Sequence, residues 1–344
     1  MTLPVSGAIS FNAINVELGV AGTTQANINQ ATYRTLAGVP SGQISLSNFY
    51  GKSNRGTASI TYSASAADVS LNITSLSGYL AGNTDVTITI NSGVYLYATS
   101  TANAGLTLTG GSGTDTLTIV NNGYIMGMGG NAGGSTTQTA TPSVIPQAGG
   151  TALSLGFNTS ITNNSYIGGG GGGGGGAGWS YNNTWAGGGG GAGGGNGGPT
   201  TAPGGIPGAG GSIGSSGAAA GGSSFLSGAG GGRIFPSTQT VYQPTAGSQQ
   251  APGGSGGAPG GVLYASGGAV PMSSTGGGPA QNGSAVLGTN GLYSGGGGGG
   301  WGASGGTGDG LGYDQNGASG GRSVALNGYS ATFTVVGNRY GAVS

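Results

Sequence analysis

From Thr57 to about Gly130, apolar residues recur at alternate positions. Ile60 and Tyr62, Val69-Leu71-Ile73, Val86-Ile88-Ile90, Val94-Leu96, Leu106-Leu108 and Leu117-Ile119 are each interleaved with Thr or Ser. A period of two puts one set of side chains on a buried face, and turn signals such as Asn91-Ser92-Gly93 and Gly110-Gly111-Ser112-Gly113 separate the runs. The pattern predicts short strands in a sandwich, a small barrel or a β-solenoid. Asp68, Asp85 and Asp115 fall in or beside the predicted turns, where a carboxylate can bond its own backbone; a calcium site is the sharper alternative.

The pattern differs before Ser53. Ser10 can cap a short helix whose Phe11, Ile14 and Leu18 share a face and which Gly19 stops, and Asn27 to Leu36 is a second helical candidate ending at Gly38. Residues 1-53 read as a small module with short helices, separated by a flexible Ser53-Asn54-Arg55-Gly56 joint. A folding cap and an attachment module are both open readings of it.

Beyond Gly130 glycine takes over. The chain has 89 Gly and 13 Pro in 344 residues. Nine consecutive glycines run from Gly168 to Gly176, and further runs are Gly187 to Gly191 and Gly295 to Gly300. One reading is a flexible linker, since glycine loses the most conformational freedom on ordering. The other is a polyproline-II-type rod with three residues per turn, about 28 Å long for nine residues, whose outward N-H and C=O groups pair with neighbouring rods. Trp179, Trp185 and Trp301 flank the runs, and the chain is 35% hydrophobic with 15 Tyr. Linkers and disordered chains lack that aromatic content, which favours ordered packing. The expected division is residues 1-53, a β-rich domain at 54-130, and a glycine-rich rod domain at 131-344 with a closing C-terminal strand. The fold class is mainly β and irregular.

A repeat links the last two regions. Thr118-Ile119-Val120-Asn121-Asn122-Gly123-Tyr124-Ile125 matches Ser160-Ile161-Thr162-Asn163-Asn164-Ser165-Tyr166-Ile167, 42 positions later. Each copy leads from a strand through an Asn-Asn corner into a glycine run. Asn suits such corners because it tolerates left-handed backbone angles. Two copies indicate a layered β-arch.

Charge narrows the function. Six basic and six acidic residues give a net charge of zero, without the basic patch that nucleic-acid binding needs. Between Asp115 and Asp309 the one charged residue is Arg233, and the chain has no His or Cys. The usual general bases, thiol nucleophiles and soft metal ligands are therefore missing from that span. Enzyme chemistry and cofactors are not expected. No stretch resembles a secretion leader or a membrane span of about 20 apolar residues, so membrane insertion is not expected either.

The two Asn-Asn copies, the glycine runs that follow them and the closing Tyr329 to Val336 with Gly337-Asn338-Arg339-Tyr340-Gly341 resemble a class of bacteriophage tail-fibre proteins. The opening Leu3-Pro4-Val5-Ser6-Gly7-Ala8-Ile9-Ser10 and Ile44 to Gly51 are similar to the N-terminal module of many phage virion proteins. The glycine-rich part resembles the receptor-recognising tip adhesins of T-even-like long tail fibres, which usually begin with a different fibre-docking domain. The resemblance implies packed polyglycine II rods, a place in the virion tail fibre, contact with other tail or fibre proteins through residues 1-53, and a host receptor that is an outer-membrane protein or a glycan. It leaves homo-oligomerisation open. A glycine-rich filament or coat protein without a receptor is the alternative.

Specificity in such a protein has to come from segments that leave the rods. Those are Trp179 to Trp185, Phe225 to Ala251, Val262 to Met272, Ala285 to Tyr293 and Asp309 to Asn316. Aromatic faces suit sugars and apolar patches. Trp179, Tyr181, Trp185, Phe235, Tyr242 and Tyr313 are the expected receptor contacts, although a Trp at a rod end can equally serve as cover for the bundle.

Overall fold

The computed structural model describes residues 3-135, 143-179, 184-199, 295-308 and 312-344. They fall into two compact units. The first comprises Met1–Ser59, Thr74–Val86 and Gly111–Thr116, and the second comprises Ile60–Ile73, Thr87–Gly110 and Leu117–Ser344.

In the first unit, α1 (Phe11–Glu17) starts where the Ser10 hydroxyl accepts the Ala13 N-H at 3.2 Å. Its buried face is Ile14, Asn15 and Glu17 rather than the expected Phe11, Ile14 and Leu18. Phe11 is exposed and Leu18 only partly buried. Hydrogen bonds explain the polar burial. The Asn15 amide donates to the Gly22 and Thr24 carbonyls and accepts the Tyr33 hydroxyl, while a Glu17 oxygen accepts from the Ser53 hydroxyl and the Asn54 N-H. Buried polar groups satisfied in this way fix local geometry that apolar periodicity does not reveal.

The second helix, α2 (Ala31–Ala37), starts later than expected because the Asn27 side chain accepts the Asn29 N-H and holds that segment in a turn. Gly38 ends it in the left-handed conformation, at φ 72°. Leu3, Ile14, Tyr33, Leu36 and Phe49 form the core of this part.

The joint read as flexible is pinned. The Arg55 guanidinium donates to Asp85 at 2.6 Å, to the Asn83 side chain, and to the Thr84 and Thr114 carbonyls. Asp85 is thus a strand residue paired with Arg55, whereas Asp115 behaves as a turn carboxylate and accepts the Ser112 N-H at 2.9 Å.

The alternating segment visits three sheets in succession. The first round is β1 (Gly56–Tyr62), β2 (Ala66–Ala67) and β3 (Val69–Asn72); the second is β4 (Thr84–Ile90), β5 (Tyr95–Tyr97) and β6 (Leu106–Thr109). The third is β7 (Thr116–Asn121), β8 (Tyr124–Met126) and β9 (Leu153–Ser154), and the fourth begins with β10 (Thr159–Asn163) and β11 (Tyr166–Gly168). After β11 come β12 (Ala177–Trp179), β13 (Thr184–Ala186) and β14 (Gly312–Asp314), and the chain then returns as β15 (Val324–Ala325), β16 (Ala331–Val335) and β17 (Asn338–Tyr340). The sheets run β1-β4-β7-β10-β16, β2-β5-β8-β11-β17 and β3-β6-β9-β15. Neighbours such as β7 and β10, β8 and β11, and β6 and β9 are parallel. This is a three-sided solenoid, and the long glycine-rich segment leaves it between β11 and β15.

Alternation has the expected cause. In β4 every second residue is buried, and Ile88, Ile90, Leu96, Leu106, Ile119, Ile125, Leu153 and Ile161 are completely enclosed. The 42-residue repeat becomes a register, with Asn121 beside Asn163 and Tyr124 beside Tyr166. The buried Asn121 amide donates to the Asn163 side chain at 2.8 Å, Asn163 donates to the Val336 carbonyl at 2.7 Å, and Asn164 donates to Asn122 at 2.8 Å. Tyr95, Tyr124 and Tyr166 stack with ring centroids 4.5 and 5.3 Å apart. Burial, then the neighbouring Tyr340 and Tyr124, pushes the Tyr166 phenol well above its ordinary pKa.

Candidate functional site

The run that follows β11 is surrounded by other backbone. Gly170 and Gly173 donate to the carbonyls of Gly150 and Gln147, Gly171 and Gly174 to those of Ala192 and Gly189, and Gly172 and Gly175 to those of Ala303 and Gly306. The carbonyls repeat the rhythm. Gly170 and Gly173 accept from Gly321 and Ala318, Gly171 and Gly174 from Gly130 and Gly133, and Gly172 and Gly175 from Gly299 and Gly296. All twelve bonds are 2.7 to 3.0 Å long. Residues three apart therefore address the same neighbouring segment, and six segments surround the central one.

Only glycine fits there. A Cβ on Gly171 would lie 2.0 Å from the Gly299 oxygen, and one on Gly172 2.0 Å from the Ala318 oxygen.

Trp301, at the end of its glycine run, is 2% exposed and packs with Tyr124, Met126, Tyr166 and Ala192. It is a core residue where the bundle meets the tyrosine ladder.

At the end of the central run the backbone becomes a small antiparallel sheet of order β13-β12-β14. Its register puts Gly178 opposite Trp185 on one side and Tyr313 on the other, and Trp179 opposite Thr184. Gln315 fixes the base of this sheet. Its side chain is buried, with the amide oxygen accepting the Gly176 N-H at 2.9 Å and the amide nitrogen donating to the Val144 carbonyl at 3.0 Å.

Three of the six expected contacts, Trp179, Trp185 and Tyr313, therefore share one sheet although more than a hundred residues of chain separate the last from the others. Tyr181, Phe235 and Tyr242 lie outside the described residues. The sequence reading missed that the Tyr313 segment pairs with the Trp179 segment. No signal in the two short triplets, Ala-Gly-Trp and Gly-Tyr-Asp, specifies that pairing, which is made by backbone hydrogen bonds.

Among the described residues no three His, Cys, Asp or Glu gather in a way that could hold a metal ion, and no helix is long and apolar enough to cross a membrane.

The family described as phage tail fibre adhesin Gp38 matches residues 57–344. No curated protein matches the chain. Among solved structures it is similar to the gp37-gp38 adhesin tip complex of the bacteriophage S16 long tail fiber, at 20% identity and a TM-score of 0.42, over 99% of this chain and 100% of that one.

Proposed function

The chain belongs to the phage tail fibre adhesin Gp38 family, and on that premise we propose that it binds a host cell-surface receptor, an outer-membrane protein or a glycan, through aromatic segments that leave a rigid polyglycine scaffold. The carrying observation is the three-residue alternation of hydrogen-bond partners along Gly170 to Gly175. Three residues per turn is the period of polyglycine II, an extended helix with no internal hydrogen bonds that can therefore bond to neighbours all round.

A bundle built this way presents almost no side chains. Recognition falls to the segments that leave it, as binding residues generally sit on loops held by rigid scaffolds. Trp179, Trp185 and Tyr313 are the proposed anchors on the end sheet, joined by Tyr181, Phe235 and Tyr242. Residues 1-53 are proposed to dock to other tail or fibre proteins, a reading supported by the family match beginning only at residue 57 and by the separate core around Ile14 and Phe49.

Alanine variants of the six aromatic residues, assayed for binding to host cells at low and high salt, test the reading. Loss of a central anchor costs about 2 kcal/mol or more in such interfaces, and with so few charges the binding is expected to be insensitive to salt. Uniform retention of binding, or its collapse in salt, contradicts the proposal.

A further inference from the structure

The third sheet of the solenoid carries a polar cleft of about 550 Å³ that neither the adhesin reading nor the tyrosine ladder uses. Its floor is a row in register across four parallel strands, with Ser70 beside Thr107, Thr107 beside Ser154, and Ser154 beside Ala325. Three inter-strand steps of about 4.8 Å make the row roughly 14 Å long. Asp68 stands just before β3 at one edge, and Arg322 just before β15 at the other.

Asp68 and Asn327 both line the cleft, and they are the non-glycine residues with positive φ among the described residues, at 47° and 51°. Asp and Asn tolerate this left-handed conformation better than other non-glycine residues, because their short polar side chains bond nearby groups. Here Thr99 holds Asp68 by donating its N-H and its hydroxyl to the carboxylate, and the Asn327 amide nitrogen donates to the Ser154 hydroxyl and the Leu155 carbonyl.

Those contacts leave much hydrogen-bonding capacity unspent. The Arg322 guanidinium and the Ser70, Thr107 and Thr151 hydroxyls make no hydrogen bond to described residues. Asn327 keeps its amide oxygen as an acceptor, and a carboxylate has more acceptor positions than Thr99 fills.

We infer that this cleft binds a short neutral oligosaccharide, lying across the four strands between Asp68 and Arg322. The hydroxyls of Ser70, Thr107 and Ser154 can each donate and accept, which suits a ligand that itself donates and accepts through hydroxyls. One carboxylate and one guanidinium leave the cleft without net charge, which suits a neutral ligand over one carrying several charges of one sign. An apolar ligand would bury the hydroxyl row without partners for it. The cleft shares no residue with the β13-β12-β14 sheet and does not rest on that sheet's role.

The test uses the full chain on an array of short neutral oligosaccharides, with uronic-acid oligosaccharides alongside. The variants are Thr107→Arg, which fills the cleft, Arg322→Ala, which removes a charged donor, and Tyr313→Ala, which lies on the end sheet. The first two replace solvent-facing residues, and unchanged melting confirms that they fold. The expected result is binding of neutral oligosaccharides that weakens roughly tenfold or more in Arg322→Ala, is lost in Thr107→Arg and survives in Tyr313→Ala. Absence of neutral-oligosaccharide binding, preference for the uronic acids, or binding unaffected by both cleft variants overturns the inference. Loss in Tyr313→Ala with retention in the cleft variants assigns the glycan to the aromatic sheet instead.

Discussion

Replacing Gly172 by alanine adds one methyl group at the centre of the glycine bundle. That methyl would lie 2.0 Å from the Ala318 oxygen, 2.7 Å from its carbonyl carbon and 2.7 Å from the Ser319 oxygen. These atoms are backbone and cannot rotate away. An ordinary contact begins near 3.4 Å, so the Ala318 carbonyl has to retreat by more than an ångström.

Ala318 is tied on both sides, accepting from Gly305 and donating to Gly173, each at 2.9 Å. Disrupting two such bonds costs about 1 kcal/mol each, and the strain of overpacking adds about 1 to 3 kcal/mol. The expected destabilisation is about 3 to 5 kcal/mol. For a chain of this size that corresponds to a fall of about 4 to 7 °C in melting temperature. Gly93→Ala is the control. Its Cβ meets nothing within 4 Å, but its φ of 77° charges a left-handed penalty of about 1 to 2 kcal/mol.

Thermal melting of both variants, with amide exchange of Gly170 to Gly175 in the parent, checks the reasoning. If Gly172→Ala melts no lower than Gly93→Ala, or if those amides exchange as fast as solvent-exposed ones, the bundle is not held as described.

The remaining predictions concern other parts of the chain. Asn163→Ala strands the Asn121 amide and the Val336 carbonyl and should cost about 2 kcal/mol or more in chemical denaturation; a loss no greater than that of an exposed Asn-to-Ala change would count against a structural asparagine ladder. The Asp85 carboxyl is held below its ordinary pKa by the Arg55 side chain first and Thr116 second. A depressed folded-state pKa contributes stability above the unfolded value near 3.9, lost as pH falls through the folded one. Acid melting of the parent should thus steepen below about pH 4, and Asp85→Asn should flatten that dependence; identical acid profiles would remove the pair from the account. Deleting residues 1-53 should leave a soluble adhesin that no longer enters virions, which particle incorporation assays would show; normal incorporation would argue against an attachment role. Tyr33→Ala should lower stability, because its hydroxyl bonds the buried Asn15 side chain, while leaving the receptor affinity of the folded fraction intact.

Local chemistry determined much of this protein. Alternation from Ile60 to Ile119 is a property of neighbouring residues, and it fixed which side chains face inward. The two Asn-Asn copies already carried the spacing that becomes the register of Asn121 on Asn163, because a solenoid converts a repeat along the chain into a stack across it. The scarcity of charge and the absence of His and Cys bounded the chemistry before any fold was known. What glycine could not announce is its partners. A run without side chains carries no face and no period, so nothing in Gly168 to Gly176 says that it bonds to segments near 130, 148, 190, 298, 304 and 319. Only the tertiary structure decided that, along with the pairing of Gly178 to Tyr313 and the return of β16 and β17 to sheets begun far earlier in the chain. In each of these cases the selecting force is backbone hydrogen bonding between distant segments, which the identities of the residues permit but do not encode.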